Sequence, residues 1–344
     1  MTKTPAPVPH DAEEALLAFG LVPRRIATHF GNTTNVWRVD TDDGPFVLRR
    51  RARQDAAQLQ TTHRLLRYLS PLRIAPEVRN APNGEDFVAT KEALWEVLTF
   101  LPGEVSTTGW DFDWDDDELL ASSADLLGRL NQAFRDYQDA PTSTWYVRTP
   151  MPPRATLETY LRSHDTQETK QILELLPLIE AHLTASPPDE TRHHVVHNDF
   201  AWYNVVRTGH AATGVIDFDS AQPNTELHEI AYATYAFAPI NESIAGQPRS
   251  LARTAERVAI FVRVYEGRAG RLPVTADRLL SMAAQRVALS AADLLGGLLR
   301  GEERAQRLLP HLVGYMTWLG WYQRERRVLL EAIAEALSGW ARDS

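Results

Sequence analysis

The sequence has 344 residues, a length that favours two lobes or domains built around a sizeable core. Hydrophobic residues make up 44% and charged residues 24%, a balance that excludes a disordered or collagen-like chain. There are 45 acidic residues against 36 Lys and Arg, and the formal net charge is -9. This charge argues against a nucleic-acid partner, because nucleic-acid-binding faces are usually basic.

The sequence contains no cysteine, which excludes disulfides and thiol nucleophiles and is typical of a cytoplasmic protein. No run of about 18 apolar residues occurs, so we expect no membrane-spanning helix and no membrane partner. Residues 1–10 are polar and Pro-rich, and we interpret them as a flexible tail rather than a secretory signal. The lysines are Lys3, Lys91 and Lys170. So few lysines restrict any mechanism that requires one.

Short apolar runs separated by turn residues predict an antiparallel sheet in the first hundred residues. The predicted strands are 26–30, 36–39, 46–48, 87–89 and 94–101. Apolar residues at helical spacing predict one helix among them, at 55–69, which Ser70 and Pro71 end.

Helical periodicity dominates after Pro102 and Gly103. The predicted helices are 115–134, 156–161, 166–183, 225–237, 249–264, 275–299 and 302–337. The segment 194–216 is an exception, because pairs of β-branched residues there predict short buried strands around polar loops. We therefore expect an α+β fold: a small antiparallel-sheet lobe at 11–98, a connection at 99–104, and a larger, mainly helical lobe at 105–344.

The polar residues in those loops are the candidates for chemistry. Asp199 follows one short strand, Asn204 stands five residues later, and Asp217 follows the next hairpin. Together they would place three oxygen-bearing side chains at one point, as magnesium-phosphate chemistry requires. A carboxylate left free of the metal can accept the proton of an attacking hydroxyl.

The pattern His197-Asn198-Asp199, Asn204 and Ile216-Asp217-Phe218-Asp219 resembles the catalytic and metal loops of the aminoglycoside phosphotransferase family. Members of this family are relatives of protein kinases that phosphorylate small molecules. The resemblance implies a protein-kinase-like two-lobe fold. It also implies transfer of the γ-phosphoryl group of ATP, with Mg²⁺, to a hydroxyl of a small molecule.

The resemblance assigns a role to each matching residue. Asp199 would be the catalytic base, Asn204 and Asp217 would bind Mg²⁺, and His197 would brace the catalytic loop. The nucleotide would be bound by the sheet lobe and the connection. The residues implied are Gly31, Asn32, Thr33 and Thr34 in a loop over the phosphates, Arg49 on the third strand, and the backbone of Thr99 and Leu101 for adenine.

The sequence departs from the family pattern at three places. Arg49 stands where the family has a phosphate-binding lysine; it keeps the charge but changes the geometry. The helix at 55–69 has no glutamate to pair with that cation, and its nearest candidates are Gln58, Gln60 and Thr62. Asn198 replaces a common glycine, and asparagine tolerates a left-handed backbone better than most residues.

Other interpretations concern single features. His193, His194 and His197 with Asp199 suggest zinc, but neighbouring strand residues face opposite ways. The acidic, aromatic stretch at 110–118 has two interpretations: a surface that binds a cationic acceptor, or a solvated segment at the start of a helix. Trp202 and Tyr203 would line the acceptor pocket or pack between lobes, and Asp219 would touch metal or acceptor. We expect structural roles for Glu226 and Glu229.

The sequence leaves the acceptor open: an aminoglycoside or amino sugar, or homoserine, choline or a simple sugar. A catalytically silent nucleotide-binding protein is an alternative from another class, motivated by Arg49 and the missing glutamate. A purely structural interaction protein is a third.

Overall fold

The antiparallel sheet predicted for the first lobe is present. In the computed structural model, which describes residues 8–27, 35–107, 112–139, 151–184, 193–238, 251–272 and 275–339, its strands pair in the order β1-β2-β3-β5-β4. The strands are β1 (Pro23–Ala27), β2 (Val36–Thr41), β3 (Gly44–Arg51), β4 (Val88–Ala89) and β5 (Leu94–Thr99). Alternating residues of β2 are buried, among them Trp37 and Val39, as expected for a half-buried strand. Residues 28–34 lie outside the described part of the chain.

A short helix, α1 (Ala12–Ala18), covers one face of this sheet and was missed by the sequence analysis. Its seven residues are too few to show a clear helical period. It is fixed by tertiary contacts: Leu16 packs in one cluster with Trp37 and Trp95, and Trp95 donates its indole N–H to Asp11 at 3.0 Å. The sheet lobe therefore has a small core of its own.

The predicted helix at 55–69 is α2 (Ala56–Leu69). Leu65, Leu66 and Leu69 belong to the large hydrophobic cluster of the helical lobe, whereas His63 is fully buried against β5. Because α2 contacts both lobes, it connects the sheet to the rest of the protein.

The larger lobe is mainly helical. Its helices are α3 (Asp117–Arg135), α4 (Arg154–His164), α5 (Gln167–Thr184), α6 (Glu226–Phe237), α7 (Leu251–Ala269), α8 (Ala276–Leu299), α9 (Glu303–Arg307) and α10 (Leu309–Gly339). The prediction of a single helix at 302–337 is wrong. Pro310 ends α9, because its ring clashes with the carbonyl four residues earlier, and a new helix starts around it. Within the described ranges, no helix is both long and apolar enough to cross a bilayer.

Two small strand pairs interrupt the helices. β6 (His193–Val196) pairs with β9 (Gln222–Thr225), and β7 (Val205–Thr208) pairs with β8 (Ala211–Val215). The sequence analysis missed β9 because Gln-Pro-Asn-Thr has no apolar alternation. These pairs bring the loop at 197–204 next to the loop at 216–221.

The connection between the lobes is anchored to β7. The backbone of Glu104 and that of Arg207 exchange two hydrogen bonds of 2.8 Å. Gly103, with φ +136°, lies against this pair, and a Cβ there would approach the Arg207 carbonyl oxygen to 2.6 Å. Only glycine combines this backbone angle with so close an approach.

We predict that Gly103→Ala destabilises the protein more than Gly209→Ala. Both glycines have positive φ, which costs an alanine about 1 kcal/mol or more, but nothing lies within 4 Å of a Cβ at Gly209. The difference therefore reports the contact with β7. Urea unfolding of the two variants measures it, and equal losses would contradict the prediction.

Candidate active site

The loops after β6 and β8 meet as the sequence predicted. Asp199 follows β6, Asn204 immediately precedes β7, and Asp217 follows β8. The backbone N–H of Ile216 donates to the Asn204 carbonyl at 2.9 Å, which joins the two loops. The three side chains proposed for phosphoryl transfer thus lie in one region.

Asn204 is hydrogen-bonded to Asp199. Its side-chain N–H₂ donates to Asp199 Oδ2 and to the Asp199 carbonyl, each at 2.9 Å. With the amide nitrogen used in this way, Asn204 Oδ1 is the atom that could bind a cation. This orientation suits a magnesium ligand, which must present oxygen.

His197 braces the loop as the resemblance implied. It is fully buried, its Nδ1 accepts from the Asp199 N–H at 3.3 Å, and its Nε2 lies 3.0 Å from the Ile216 carbonyl. Burial lowers the pKa of His197, so the ring is neutral and Nε2 carries the hydrogen. Asn198 has φ +64°, the left-handed conformation expected where asparagine replaces glycine.

Asp217 is also left-handed, with φ +65°. Burial and the like charges of Asp219 and Asp199 raise the pKa of Asp217 above its usual range, although Arg49 opposes this. A divalent cation beside Asp217 would favour its ionised form. Across the described ranges, no group of three or more His, Cys, Asp or Glu side chains could hold a metal ion. His193, His194 and His197 near Asp199 therefore do not form such a site. Asp217 and Asn204 therefore fit a cation that takes its other oxygens from phosphates and water.

Arg49 points into the site and is 13% exposed. Its Nη2 lies 3.2 Å from Asp217 Oδ1 and 2.7 Å from Asp219 Oδ2. Lys91, the lysine that precedes β5 in the same lobe, is exposed. Arg49 is therefore the better placed of the two to contact phosphate near Asp217.

Glu96 on β5 is a partner of Arg49 that the sequence analysis did not identify. The two residues are directly opposite in the β3–β5 register, and Arg49 Nε lies 3.6 Å from Glu96 Oε1. Although burial alone would raise it, Arg49 and Arg51 hold the pKa of Glu96 well below its usual range. On α2, His63 contacts the same carboxylate, with its Nε2 at 2.8 Å from Glu96 Oε2.

Two tyrosines bind the other oxygen of Asp199. Tyr203 and Tyr232 donate to Asp199 Oδ1 at 2.8 and 3.0 Å, and their hydroxyl oxygens are 2.8 Å apart. Burial and the charge of Asp199 raise the pKa of both phenols well above its usual value, so both remain donors. Tyr232, on α6, was missed because nothing in the helical pattern distinguishes it.

Trp202 packs against Phe112 and Trp114, with ring centroids 6.0 and 5.9 Å apart.

The described part of the acidic stretch starts α3. Asp116 caps the helix by accepting from the Leu119 N–H at 2.8 Å and also bonds His210. Asp117 pairs with Arg253 and Arg257. His210 lies in the turn between β7 and β8. This turn is at the opposite end of the hairpin from Asn204, roughly 13 Å away along the strand. These carboxylates therefore do not converge on Asp199.

The two glutamates at the start of α6 support the loop. Glu229 accepts from the Asn198 N–H at 2.7 Å, and burial raises the pKa of Glu229 to about 8. Glu226 accepts from Arg135 at 2.6 Å and contacts His194 at 3.0 Å. Both contacts agree with structural roles.

The nucleotide residues are only partly described. Gly31, Asn32, Thr33 and Thr34 lie outside the described residues. Thr99 bonds Glu77 through both its N–H and its hydroxyl, at 2.9 and 2.8 Å, which fixes the end of β5. Leu101 packs on Gly214 of β8, where a Cβ would lie 2.8 Å from the leucine side chain.

Solved structures share this fold. One is an amicoumacin kinase in complex with AMP-PNP, Ca²⁺ and Ami, at TM-score 0.63 and 17% identity, covering 88% of this chain and 91% of that chain. A microcompartment-associated aminopropanol kinase has TM-score 0.64 and 17% identity, covering 91% and 97%. Spectinomycin phosphotransferase in complex with ADP and spectinomycin has TM-score 0.57 and 14% identity, covering 89% and 92%.

The sheet lobe, the helical lobe and the loops between the paired hairpins form the kinase-like fold of these structures. The model of the phosphotransferase enzyme family matches residues 24–249, about two thirds of the sequence. The chain belongs to this family, and the predicted resemblance and fold class are confirmed. No curated protein sequence matches the chain significantly.

Proposed function

We propose that the protein transfers the γ-phosphoryl group of ATP to a hydroxyl of a small molecule, with Mg²⁺, and that Asp199 is the base. One observation carries this proposal: Asp199, Asn204 and Asp217 meet in loops joined by hydrogen bonds, next to the cation Arg49. Phosphoryl transfer requires mainly positioning and charge neutralisation, and these groups supply both.

The two carboxylate oxygens of Asp199 would face different substrates, one the nucleotide and the other the acceptor. Asn204 holds Oδ2 on the side of Asp217, while Oδ1 lies among the two phenols. Tyr203 and Tyr232 have only two hydroxyl protons for three short contacts. An acceptor hydroxyl that replaced one phenol as donor to Oδ1 would free that phenol's proton for the contact between the two tyrosines, and this supports placing the acceptor there.

The nucleotide would lie between the lobes. Arg49 would bind its phosphates, the loop with Gly31, Asn32, Thr33 and Thr34 would cover them, and the backbone of Thr99 and Leu101 would contact adenine. A Mg²⁺ ion held by Asn204 and Asp217 would neutralise charge that develops on the phosphates. In this assignment residues 11–98 form the nucleotide lobe and 105–344 the catalytic and acceptor lobe.

We propose a small amino alcohol or amino sugar as the acceptor. The similar structures include enzymes whose names specify aminopropanol and spectinomycin. A polycationic acceptor would need several converging carboxylates, but Asp116 and Asp117 are engaged with basic side chains elsewhere. Asp219 is likewise paired with Arg49 and Arg51. A compound with one ammonium group fits this charge balance better than a polycation.

Asp199→Asn should lower kcat by roughly 100- to 10,000-fold, because the base is lost while the shape of the side chain is kept. Mg-ATP should still raise the melting temperature. Phosphorylation assays with amino alcohols, amino sugars, homoserine, choline and sugars identify the acceptor. Asp136→Asn, an exposed site after α3, is the control. Nucleotide binding without transfer to any acceptor would favour a silent nucleotide-binding protein. No nucleotide-dependent stabilisation would favour an interaction protein.

Arg49→Ala should raise the KM for ATP by roughly 10-fold or more, because a contact between a guanidinium and phosphate is lost. Lys91→Ala should leave this KM unchanged, since Lys91 is exposed. Arg49→Lys, which keeps the charge, should recover part of the loss. Steady-state kinetics with ATP as the varied substrate test this, and a larger effect of Lys91→Ala would overturn the assignment of Arg49.

Tyr232→Phe should lower kcat by roughly 10-fold while the KM for ATP stays constant, because one hydrogen bond that orients Asp199 is lost. Tyr235→Phe is the matched control: the two rings lie 6.2 Å apart on α6, and only Tyr232 bonds Asp199. If both variants have the same kcat, the phenol pair does not orient the base.

A further inference from the structure

Three consecutive arginines end β3, and they face two different ways. Arg49 and Arg51 point toward Glu96 and Asp219, whereas Arg50, one position between them, pairs with Glu92 at the surface, at 3.1 Å. This alternation follows from the pleat of the strand. Arg50 therefore carries the same charge on the same strand without reaching the site.

Arg51 makes two strong contacts, and its side chain is only 10% exposed. Its Nε donates to Glu96 Oε1 at 2.9 Å, and its Nη2 donates to Asp219 Oδ1 at 2.6 Å. Asp219 Oδ2 accepts from Arg49 at 2.7 Å. Each oxygen of Asp219 is thus held by a different arginine of the sheet lobe.

Glu96 is held from the opposite side by His63. Glu96 is fully buried, and His63 Nε2 lies 2.8 Å from its Oε2. Since Glu96 is ionised, His63 donates this hydrogen bond. A continuous series of contacts therefore runs from α2 through β5 and β3 to the loop that contains Asp217.

We infer that Arg51 is a positioning residue: held by Glu96 and His63, it fixes Asp219 and so keeps Asp217 in place while Arg49 binds phosphate. This inference rests on the proposed function, in which Arg49 contacts the nucleotide and Asp217 the metal. Arg49 cannot serve phosphate and Asp219 at full strength together. Arg51 does not share this conflict, because its Nε and Nη2 are bonded to the protein carboxylates of Glu96 and Asp219.

The backbone at Asp217 shows why such an anchor matters. A non-glycine residue at φ +65° is in a sparsely populated conformation, which persists only when surrounding contacts hold it. Asp219 lies two residues later, in the turn Phe218–Ser220, and its carboxylate ties this turn to the sheet lobe. Loss of Arg51 would leave Asp219 with one arginine, which the phosphates would compete for.

The test compares Arg51→Met with Arg50→Met in the full chain. The melting temperature is measured at fixed ADP while Mg²⁺ is titrated, and kcat and KM are measured in parallel. For Arg51→Met we expect the Mg²⁺ midpoint of the ADP-dependent stabilisation to rise by roughly 10-fold, and kcat to fall more than the KM for ATP rises. Arg50→Met should match the wild type in every measurement.

A second variant covers the case in which Arg51→Met does not fold. Arg51→Lys keeps the charge but cannot reach Glu96 and Asp219 at once. Its Mg²⁺ midpoint should therefore lie between those of the wild type and Arg51→Met. If Arg51→Met does not fold, the midpoint of Arg51→Lys should still lie above that of the wild type. A wild-type midpoint in Arg51→Lys, or in a folded Arg51→Met, overturns the inference. If the wild-type protein itself shows no Mg²⁺-dependent stabilisation by ADP, the proposed function fails instead.

Discussion

Ion pairs between two arginines of β3 and three carboxylates hold the two lobes around the candidate site. Arg49 and Arg51 come from the sheet, Glu96 from the neighbouring strand, and Asp217 and Asp219 from the helical lobe. Buried charges are costly unless each has a partner and satisfied hydrogen bonds, so the five groups constrain one another. Because the partners lie on both lobes, the distance between the lobes at this point is set by the reach of an arginine side chain.

The loop at 197–204 is held in a different way, by hydrogen bonds from neutral side chains rather than by ion pairs. His197 joins the Asp199 backbone to the Ile216 carbonyl, and Asn204 joins the Asp199 carboxylate to β7. These contacts involve protein groups alone, whereas in the proposed function Arg49 would exchange a carboxylate for phosphate. The structure thus combines a loop fixed around the proposed base with an ionic partner that would rearrange when the nucleotide binds. Such a division suits a reaction in which the acceptor and the phosphates approach from different sides.

Much of this arrangement could be predicted from the sequence, because the decisive signals are local. The strands, most helices and the spacing of Asp199, Asn204 and Asp217 each follow from a few adjacent residues. Glu96 and Tyr232 could not be predicted in this way. Glu96 is opposite Arg49 only through the β3–β5 register, and Tyr232 reaches Asp199 only through the packing of α6. The ion pairs of the acidic stretch with Arg253, Arg257 and His210 could not be predicted either, since they join distant parts of the chain.

Two departures from the family pattern, Arg49 in place of a lysine and the absence of a glutamate from α2, have one common explanation. A lysine ammonium is a single point charge, and it would need a carboxylate beyond it to set its direction. Arg49 instead extends a planar fork, so that Nε approaches Glu96 beside it while Nη2 reaches Asp217 and Asp219 ahead. A carboxylate on the adjacent strand is therefore sufficient, and α2 contributes the hydrogen-bond donor His63 behind Glu96 rather than an acid.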